Sequence, residues 1–329
     1  SSKDNSMANK IRIAVIFGGK SREHEVSINS ASQVIAALDK EKYEVIPIAI
    51  TKNGNWLVGE KGGAYLDFAL PLARGEGGIS FELSQALASV RDNANSLEDF
   101  FEGESGHIDI VLPIGHGPFI EDGRLQGFLD TIGIPYVFSG TLAGALAMNK
   151  HMAKLIAKAA GLKVAKDKLI SKGKKIDTGK IIKKLGLPVV VKPAELGSSV
   201  GISIAQIETE LAECISKAFE VGSEVLLEQF IKGREFTVAV LGNEKPKALP
   251  IIEIIPKVSR FYDYQAKYAT GGSEHICPAQ ISEKLEKKLK KYAAKAYKAI
   301  GCSDLARADF IVDMEKGKAY FLEINTIPG

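Results

Sequence analysis

The run Ile11–Phe17 (IRIAVIF) is almost wholly apolar and rich in β-branched residues, and it stops on the pair Gly18-Gly19 before a helix-like stretch from Ser27 to Leu38. A short apolar run bounded by a turn reads as a buried strand, and a glycine turn that passes it to a helix opens an α/β layer structure. Two further strands, Tyr43–Ile50 and Ile108–Ile114, alternate with other segments, which favours a parallel sheet flanked by helices. Between them Gly59–Gly78, rich in glycine and charge, reads as irregular surface excursions.

Beyond Pro135 the texture changes. Asn149–Ala160 carries Met152, Leu155, Ile156 and Ala159 on one helical face, with Lys150 at the helix start and Gly161 as its cap. A β-branched run Val189–Val191, the loop Gly197–Gly201 and a strand Ile202–Ala205 together suggest a glycine-rich hairpin of the kind that folds over a ligand. Strands are expected near Val225–Gln229, Phe236–Leu241, Ala248–Ile255, Ala308–Val312 and Tyr320–Ile324. A long amphipathic helix, Glu283–Ile300, turns Leu285, Leu289, Tyr292 and Ala296 inward and ends at Gly301. The first part is thus α/β and the rest α+β, and 329 residues suit two or three domains. Changes of texture near 138 and 227 divide the chain into 9–138, 139–227 and 228–329.

Charge and cysteine content narrow the partners. Lys plus Arg minus Asp plus Glu is 43 − 40 = +3, spread along the chain, which argues against nucleic acid or an anionic membrane as partner. Cys214, Cys277 and Cys302 show no pairing pattern and no metal-ligand spacing with histidine, as in a reducing cytosol. No apolar run reaches the ~18 residues that span a bilayer. The polar opening Ser1–Lys10 lacks the core of a signal peptide, so a cytoplasmic protein beginning at Met7 is expected.

Three segments carry chemistry. Residues two apart on a strand face one side, so Arg307 with Asp309, and Glu323 with Asn325, place three oxygen donors and one cation on adjacent strands. Hard oxygen donors suit Mg²⁺ held jointly with phosphates, although spacing alone favours an exposed face with a solvated salt bridge. In Val191–Gly201, Lys192 ends an apolar strand where a lone ammonium demands an anion. The loop adds backbone N–H groups and the hydroxyls of Ser198 and Ser199, so phosphate is the natural partner. It is no Walker A loop, and a surface hairpin remains open as the alternative. In Gly18–Glu25, Glu23 stands at the carboxyl end of the first strand and could hold a substrate ammonium; no Gly-x-Gly-x-x-Gly fingerprint is present. His116 follows a strand end and is a candidate for ligand contact, while His24, His107, His151 and His275 read as surface groups.

Seven segments in order, FGGKSREHEVS, HGPFIEDGRLQG, MNKHMAK, VVVKPAELGSSVGIS, FYDYQAKY, RADF and LEINTIPG, closely resemble the D-alanine:D-alanine ligases of the ATP-grasp superfamily. The resemblance runs from Lys10 to Gly329. It implies a three-domain ATP-grasp architecture with an N-terminal Rossmann-like parallel-sheet domain, and ATP between the central and C-terminal subdomains. The activity it implies is ATP-dependent joining of two D-alanines through an acyl phosphate, for peptidoglycan precursor synthesis. Relatives of this kind are often dimers, so a homodimer is the assembly suggested.

By the same resemblance Glu23 binds the first ammonium and forms a hydrogen-bonded set with Ser198 and Tyr268 that closes the FYDYQAKY loop. Lys150, Lys192 and Lys267 contact phosphate with Ser199, Glu228 and Ile231 hold adenine, and Glu235 holds ribose. Asp309, Glu323 and Asn325 match ligands of Mg²⁺ or Mn²⁺, and Arg307 with the Gly329 N–H match oxyanion stabilisers. Phe138 stands where a glycine often precedes Ser-Gly, and Ile120 replaces a common glycine. The relatives continue beyond Pro-Gly with a serine that grips the second D-alanine, so a chain ending at Gly329 is expected to bind ATP but to ligate slowly. Two other readings stay open, a ligation-deficient nucleotide-binding fragment and an ATP-grasp carboxylate-amine ligase with another acceptor.

Overall fold

The computed structural model describes residues 10–74, 107–195, 201–256 and 273–328, which fall into two compact units. One comprises the chain up to His116 with Leu125–Val137; the other comprises Gly117–Arg124 and Phe138–Pro328.

In the first unit β1 (Ile11–Gly18), β2 (Tyr43–Ile50), β3 (Trp56–Val58) and β4 (Ile110–Ile114) form a sheet ordered β3-β2-β1-β4. β1 runs parallel to both β2 and β4, and β3 is antiparallel at the edge. From Ile13 onward β1 is buried at every residue, which is why it reads as a continuous apolar run. Gly18 turns at φ 88°, where a Cβ would stand 2.3 Å from the Ile50 carbonyl oxygen, so the turn admits only glycine. α1 (His24–Ala37) follows. Its Ser27 Oγ accepts from the Gly18 N–H at 2.7 Å and donates to the Ile114 carbonyl at 2.5 Å, binding helix, β1 and β4 together.

Two expectations fail in this unit. His24 is not at the surface: it is 2% exposed, with Nδ1 2.7 Å from the Gly19 carbonyl and Nε2 3.0 Å from the Tyr65 hydroxyl, and burial pushes its pKa down. The stretch from Gly59 is not irregular either, since Glu60–Ala73 is helix α2; Gly75–Gly78 lie outside the described residues. Leu66 and Ala69 supply its buried face. A Cβ on Gly62 would meet the Pro47 and Leu57 carbonyl oxygens at 2.3 and 2.7 Å. Glycine costs a helix about 1 kcal/mol, so composition points to a loop, while close packing on the sheet edge decides for a helix. α3 (Arg124–Thr131) completes the segment, burying Leu125, Gln126 and Leu129.

The second unit enters through Phe138, which adopts φ 79°, the left-handed region that favours glycine. Its N–H donates to Asp304 Oδ2 at 2.8 Å, which holds the turn. α4 (Thr141–Met148) and α5 (Lys150–Ala159) follow, and Asn149 caps α5 by accepting from the Met152 N–H at 3.0 Å. The buried face of α5 is the opposite of the one expected. Ala153, Lys154 and Ala157 point inward, while Met152 and Leu155 are 41% and 47% exposed. A hydrophobic count cannot foresee this, because the inward lysine is matched by carboxylates from elsewhere in the chain.

Next come β5 (Asp167–Ser171), α6 (Thr178–Leu185), β6 (Val189–Pro193), β7 (Ser203–Ala205), α7 (Glu208–Val221) and β8 (Glu224–Gln229). The strands make an antiparallel sheet, β5-β8-β6-β7, over a core that includes Ile181, Val191, Leu211, Ile215 and Leu227. β6 and β7 form the expected hairpin, and residues 196–200 of its loop lie outside the described residues.

The last sheet holds β9 (Arg234–Leu241), β10 (Lys247–Ala248), β11 (Ile252–Pro256), β12 (Ser273–Ile276), β13 (Leu305–Asp313) and β14 (Lys318–Asn325). Its order is β12-β11-β9-β13-β14, with β10 beside β9, and every pairing is antiparallel. The single strand expected over Ala248–Ile255 is broken in two. Pro250, with no N–H to give a ladder, lies in the gap. α8 (Glu283–Ile300) matches its pattern: Leu289 and Ala296 are buried, Leu285 and Tyr292 pack at the margin, and Gly301 ends it at φ 83°. Among the described residues no helix is long and apolar enough to cross a membrane.

Candidate active site

Lys192 lies on the otherwise apolar strand β6 and is 6% exposed, so its charge requires a partner. The partner is Glu228, a diagonal neighbour on β8, whose Oε2 stands 2.7 Å from Lys192 Nζ. Glu228 Oε1 takes a second ammonium, that of Lys154 from α5. Lys154 also donates to the Ala165 carbonyl and pairs with Asp167 Oδ2, each at 3.1 Å. Two lysines and two carboxylates therefore share one patch with no net charge. Burial would raise the Glu228 pKa, but the adjacent ammonium groups of Lys192 and Lys154 outweigh it and hold the carboxyl below the usual range.

A second cluster lies on β13 and β14. Arg307 pairs with Asn325 and Asp309 with Glu323, which sets all four side chains on one face as their spacing predicts. The face is no solvated salt bridge, for Asp309 is 4% exposed. Its carboxylate accepts from Thr237 Oγ1 at 2.5 Å, Arg307 Nε at 3.2 Å and Asn325 Nδ2 at 3.2 Å. Burial would lower the Arg307 pKa; Asp309, Glu323 and Glu121 outweigh that and keep the guanidinium above its ordinary value.

Helix α5 joins the two clusters. Lys150 and Lys154 are one turn apart on it. Lys154 reaches β8, and Lys150, 5% exposed, brings Nζ to 3.5 Å from Glu323 Oε2 on β14. The Lys150 N–H donates to the Ala194 carbonyl at 2.8 Å, and Asn149 Nδ2 donates to Glu195 Oε1 at 3.0 Å, so the helix start is also pinned to the turn after β6.

No group of three or more His, Cys, Asp or Glu that could hold a metal occurs among the described residues. Asp309, Glu323 and Asn325 offer two carboxylates and one amide, all oxygen donors. That set suits Mg²⁺, which is usually bound by one or two carboxylates together with substrate phosphates rather than in an all-protein cage. The residues present therefore fit the metal.

Of the other expected residues, Glu235 lies on β9 opposite Ile254 and Ile311, and Ile231 is half-buried in the link between β8 and β9. Glu23 and His116 belong to the first unit, 6% and 7% exposed. The Glu23 N–H donates to Ser21 Oγ at 3.2 Å, and Ser21 Oγ donates to the His116 carbonyl at 2.8 Å. Ser198, Ser199, Lys267, Tyr268 and Gly329 lie outside the described residues, as does the FYDYQAKY segment. Sequence reasoning missed Lys154, Thr237 and the cap Asn149. The signal for Lys154 is its place four residues after Lys150, between Ala153 and Ala157 on the face of small residues.

A cleft of about 410 Å³ opens beside the start of α5, lined by Arg124, Asn149, Pro193, Glu195 and Glu224 among others. None of the expected site residues lines it.

Comparison with known proteins adds an independent finding. Residues 12–139 match the family model described as D-ala D-ala ligase N-terminus, and residues 156–329 match D-ala D-ala ligase C-terminus. The chain is 42% identical over 328 residues to the D-alanine–D-alanine ligase of Natranaerobius thermophilus, covering 97% of this chain and 87% of that one. Its fold is similar to the crystal structure of the VanG D-Ala:D-Ser ligase from Enterococcus faecalis, with a TM-score of 0.78, 34% identity and coverage of 97% and 91%. It is also similar to a D-alanine–D-alanine ligase from Bacillus anthracis crystallised with ATP, at a TM-score of 0.71, 29% identity and coverage of 97% and 87%.

Proposed function

The chain belongs to the D-alanine–D-alanine ligase family, and from that premise we propose that it joins two molecules of D-alanine at the expense of ATP, supplying a dipeptide for peptidoglycan precursors. A carboxylate oxygen of the first D-alanine takes the γ-phosphoryl group, and its bond to ADP breaks. The amine of the second then attacks the acyl carbon, the bond to phosphate breaks, and the amine gives up a proton as the amide forms. Phosphoryl transfer of this kind requires little from a protein except positioned cations and donors.

The observation that carries this reading is the convergence on α5. Lys150, beside Glu323, and Lys154, beside Glu228, are one turn apart, so one short helix ties an oxygen-donor face to a lysine-lined strand. In the proposed division of labour Lys150 and Lys192 neutralise ATP phosphates, together with Lys267 and Ser199. Glu228, whose carboxylate oxygens are both engaged by lysines, serves adenine together with Ile231, and Glu235 takes the ribose. Asp309, Glu323 and Asn325 hold Mg²⁺, which when bound offsets the charge of the transferring phosphoryl group. Arg307 and the Gly329 N–H stabilise the oxyanion. Glu23 binds the first ammonium with Ser198 and Tyr268 completing the set, and His116 lies against the same substrate. Residues 9–138, 139–227 and 228–329 are the corresponding domains, and the protein works in the cytoplasm as a homodimer.

Mass spectrometry of products from ATP, Mg²⁺ and equimolar D-alanine, D-serine and D-lactate tests the reading. Tyr268 resembles the tyrosine of relatives that make D-Ala-D-Ala, so that product should dominate at neutral pH. A depsipeptide yield equal to the dipeptide would remove Tyr268 as the reporter of acceptor choice. Absence of ADP release dependent on D-alanine would remove the reaction itself.

A further inference from the structure

We infer that Lys154 is a positioning residue for ATP: it meets no ligand itself but holds the Glu228 carboxylate so that Lys192 presents its ammonium to the nucleotide. The inference rests on the proposed assignment of Lys192 and Glu228 to the ATP site and deepens it.

Lys154 has no capacity left for a ligand. Its ammonium carries three N–H groups, and Glu228 Oε1, Asp167 Oδ2 and the Ala165 carbonyl take one each. It is 2% exposed, so a lysine normally found in water is here committed to protein partners. Lys192 differs. Among the described residues its ammonium is paired with Glu228 Oε2, which engages one of its three N–H groups. The arrangement therefore divides two lysines on one carboxylate into one that anchors and one that retains donors for an anion.

The division depends on both oxygens of Glu228 being occupied by different cations. Without Lys154, Oε1 would be a buried acceptor lacking its partner, and the nearest remaining cation is Lys192. The carboxylate would then draw that ammonium toward both of its oxygens and away from a phosphate. Asp167 would also lose its closest cation, leaving His151 Nδ1 at 3.8 Å. Because Lys150 starts the same helix, the contact of Lys154 with β8 also fixes where the second phosphate-facing lysine stands.

Three variants of the full chain separate positioning from plain stability: Lys154→Met, the double variant Lys154→Met with Asp167→Asn, and Glu228→Gln. The double variant removes one charge of each sign and leaves the Glu228–Lys192 pair neutral, so it keeps the protein folded should the single variant fail. For each, ATP dissociation constants are read by calorimetry below the onset of its melting, and turnover is read at saturating ATP and D-alanine. Lys192 would contact ATP in the ground state and transition state alike, so its displacement raises the constant for ATP with little change in turnover. The expected result is ATP binding weakened about tenfold in both Lys154 variants, the lower end for loss of an outer partner of a ligand-holding group, with turnover retained within about twofold. ATP binding equal to the parent in the double variant would overturn the inference and leave Lys154 as a structural lysine. Equal ATP binding by the parent and Glu228→Gln would instead overturn the underlying assignment of Glu228 and Lys192, and the inference with it.

Discussion

Replacing Glu228 by glutamine tests the central charge arrangement through stability alone. The substitution keeps the size of the side chain but removes the negative charge between Lys154, 2% exposed, and Lys192, 6% exposed. Two buried ammonium groups are left facing each other across a neutral amide. Breaking a buried pair by removing one partner costs about 3–5 kcal/mol, and the lower end applies because the glutamine oxygen still accepts from one lysine. At about 2–4 °C per kcal/mol for a domain of this size, roughly 3 kcal/mol lowers the melting point of the second unit by roughly 6–12 °C. The pH dependence has a definite sign. The folded-state pKa of Glu228 is lowered by its lysines, so its contribution is complete above the unfolded value of about 4.3 and disappears as pH falls through the folded value. Scanning calorimetry of parent and variant near pH 7 and at successively lower pH should therefore show a gap that is widest at neutrality and closes below pH ~4. A gap under about 2 °C at neutrality, or one that is constant with pH, would refute the picture of a charge-paired Glu228.

Glu323→Ala and Asn325→Ala should each reduce Mg²⁺-dependent ADP release by about 100-fold or more while circular dichroism stays parental, since each removes one oxygen from the proposed Mg²⁺ site; near-parental activity in both would disprove the metal assignment. Gly62→Val should destabilise the first unit by at least about 1–3 kcal/mol, because its Cβ would stand 2.3 Å from the Pro47 carbonyl oxygen, and a melting curve that does not move would mean that α2 can lift from the sheet at no cost. Asn149→Ala removes the cap of α5 and the bond to Glu195, which should cost about 1 kcal/mol in urea unfolding and weaken ATP binding through Lys150; an unchanged midpoint would show the cap to be dispensable.

Most strands were legible in the residues because burial leaves a local trace, whereas the short or half-buried strands β3, β5 and β12 left none that the sequence reading used. β1 is apolar from Ile13 to Phe17 since both of its neighbours are parallel strands and α1 packs on it, and α8 announces its inner face through Leu285, Leu289, Tyr292 and Ala296. The alternation along β13 and β14 likewise foretells that Arg307, Asp309, Glu323 and Asn325 share one side, because the two-residue period of a strand is a property of the backbone. Only the tertiary structure decided where a residue's best interaction lies far along the chain. Lys154 turns inward, against the apolar pattern of its helix, because Glu228, 74 residues later, supplies the charge that makes its burial tolerable. His24 is buried because Tyr65 and the Gly19 carbonyl accommodate its two ring nitrogens, and the glycine-rich stretch after Gly59 is helical because Gly62 must touch the main chain of β2 and β3. Local periodicity records which face of an element is dry. It carries no record of which distant partner will neutralise a charge or fill a gap, and the cluster of Lys154, Asp167, Lys192 and Glu228 is built from such partners.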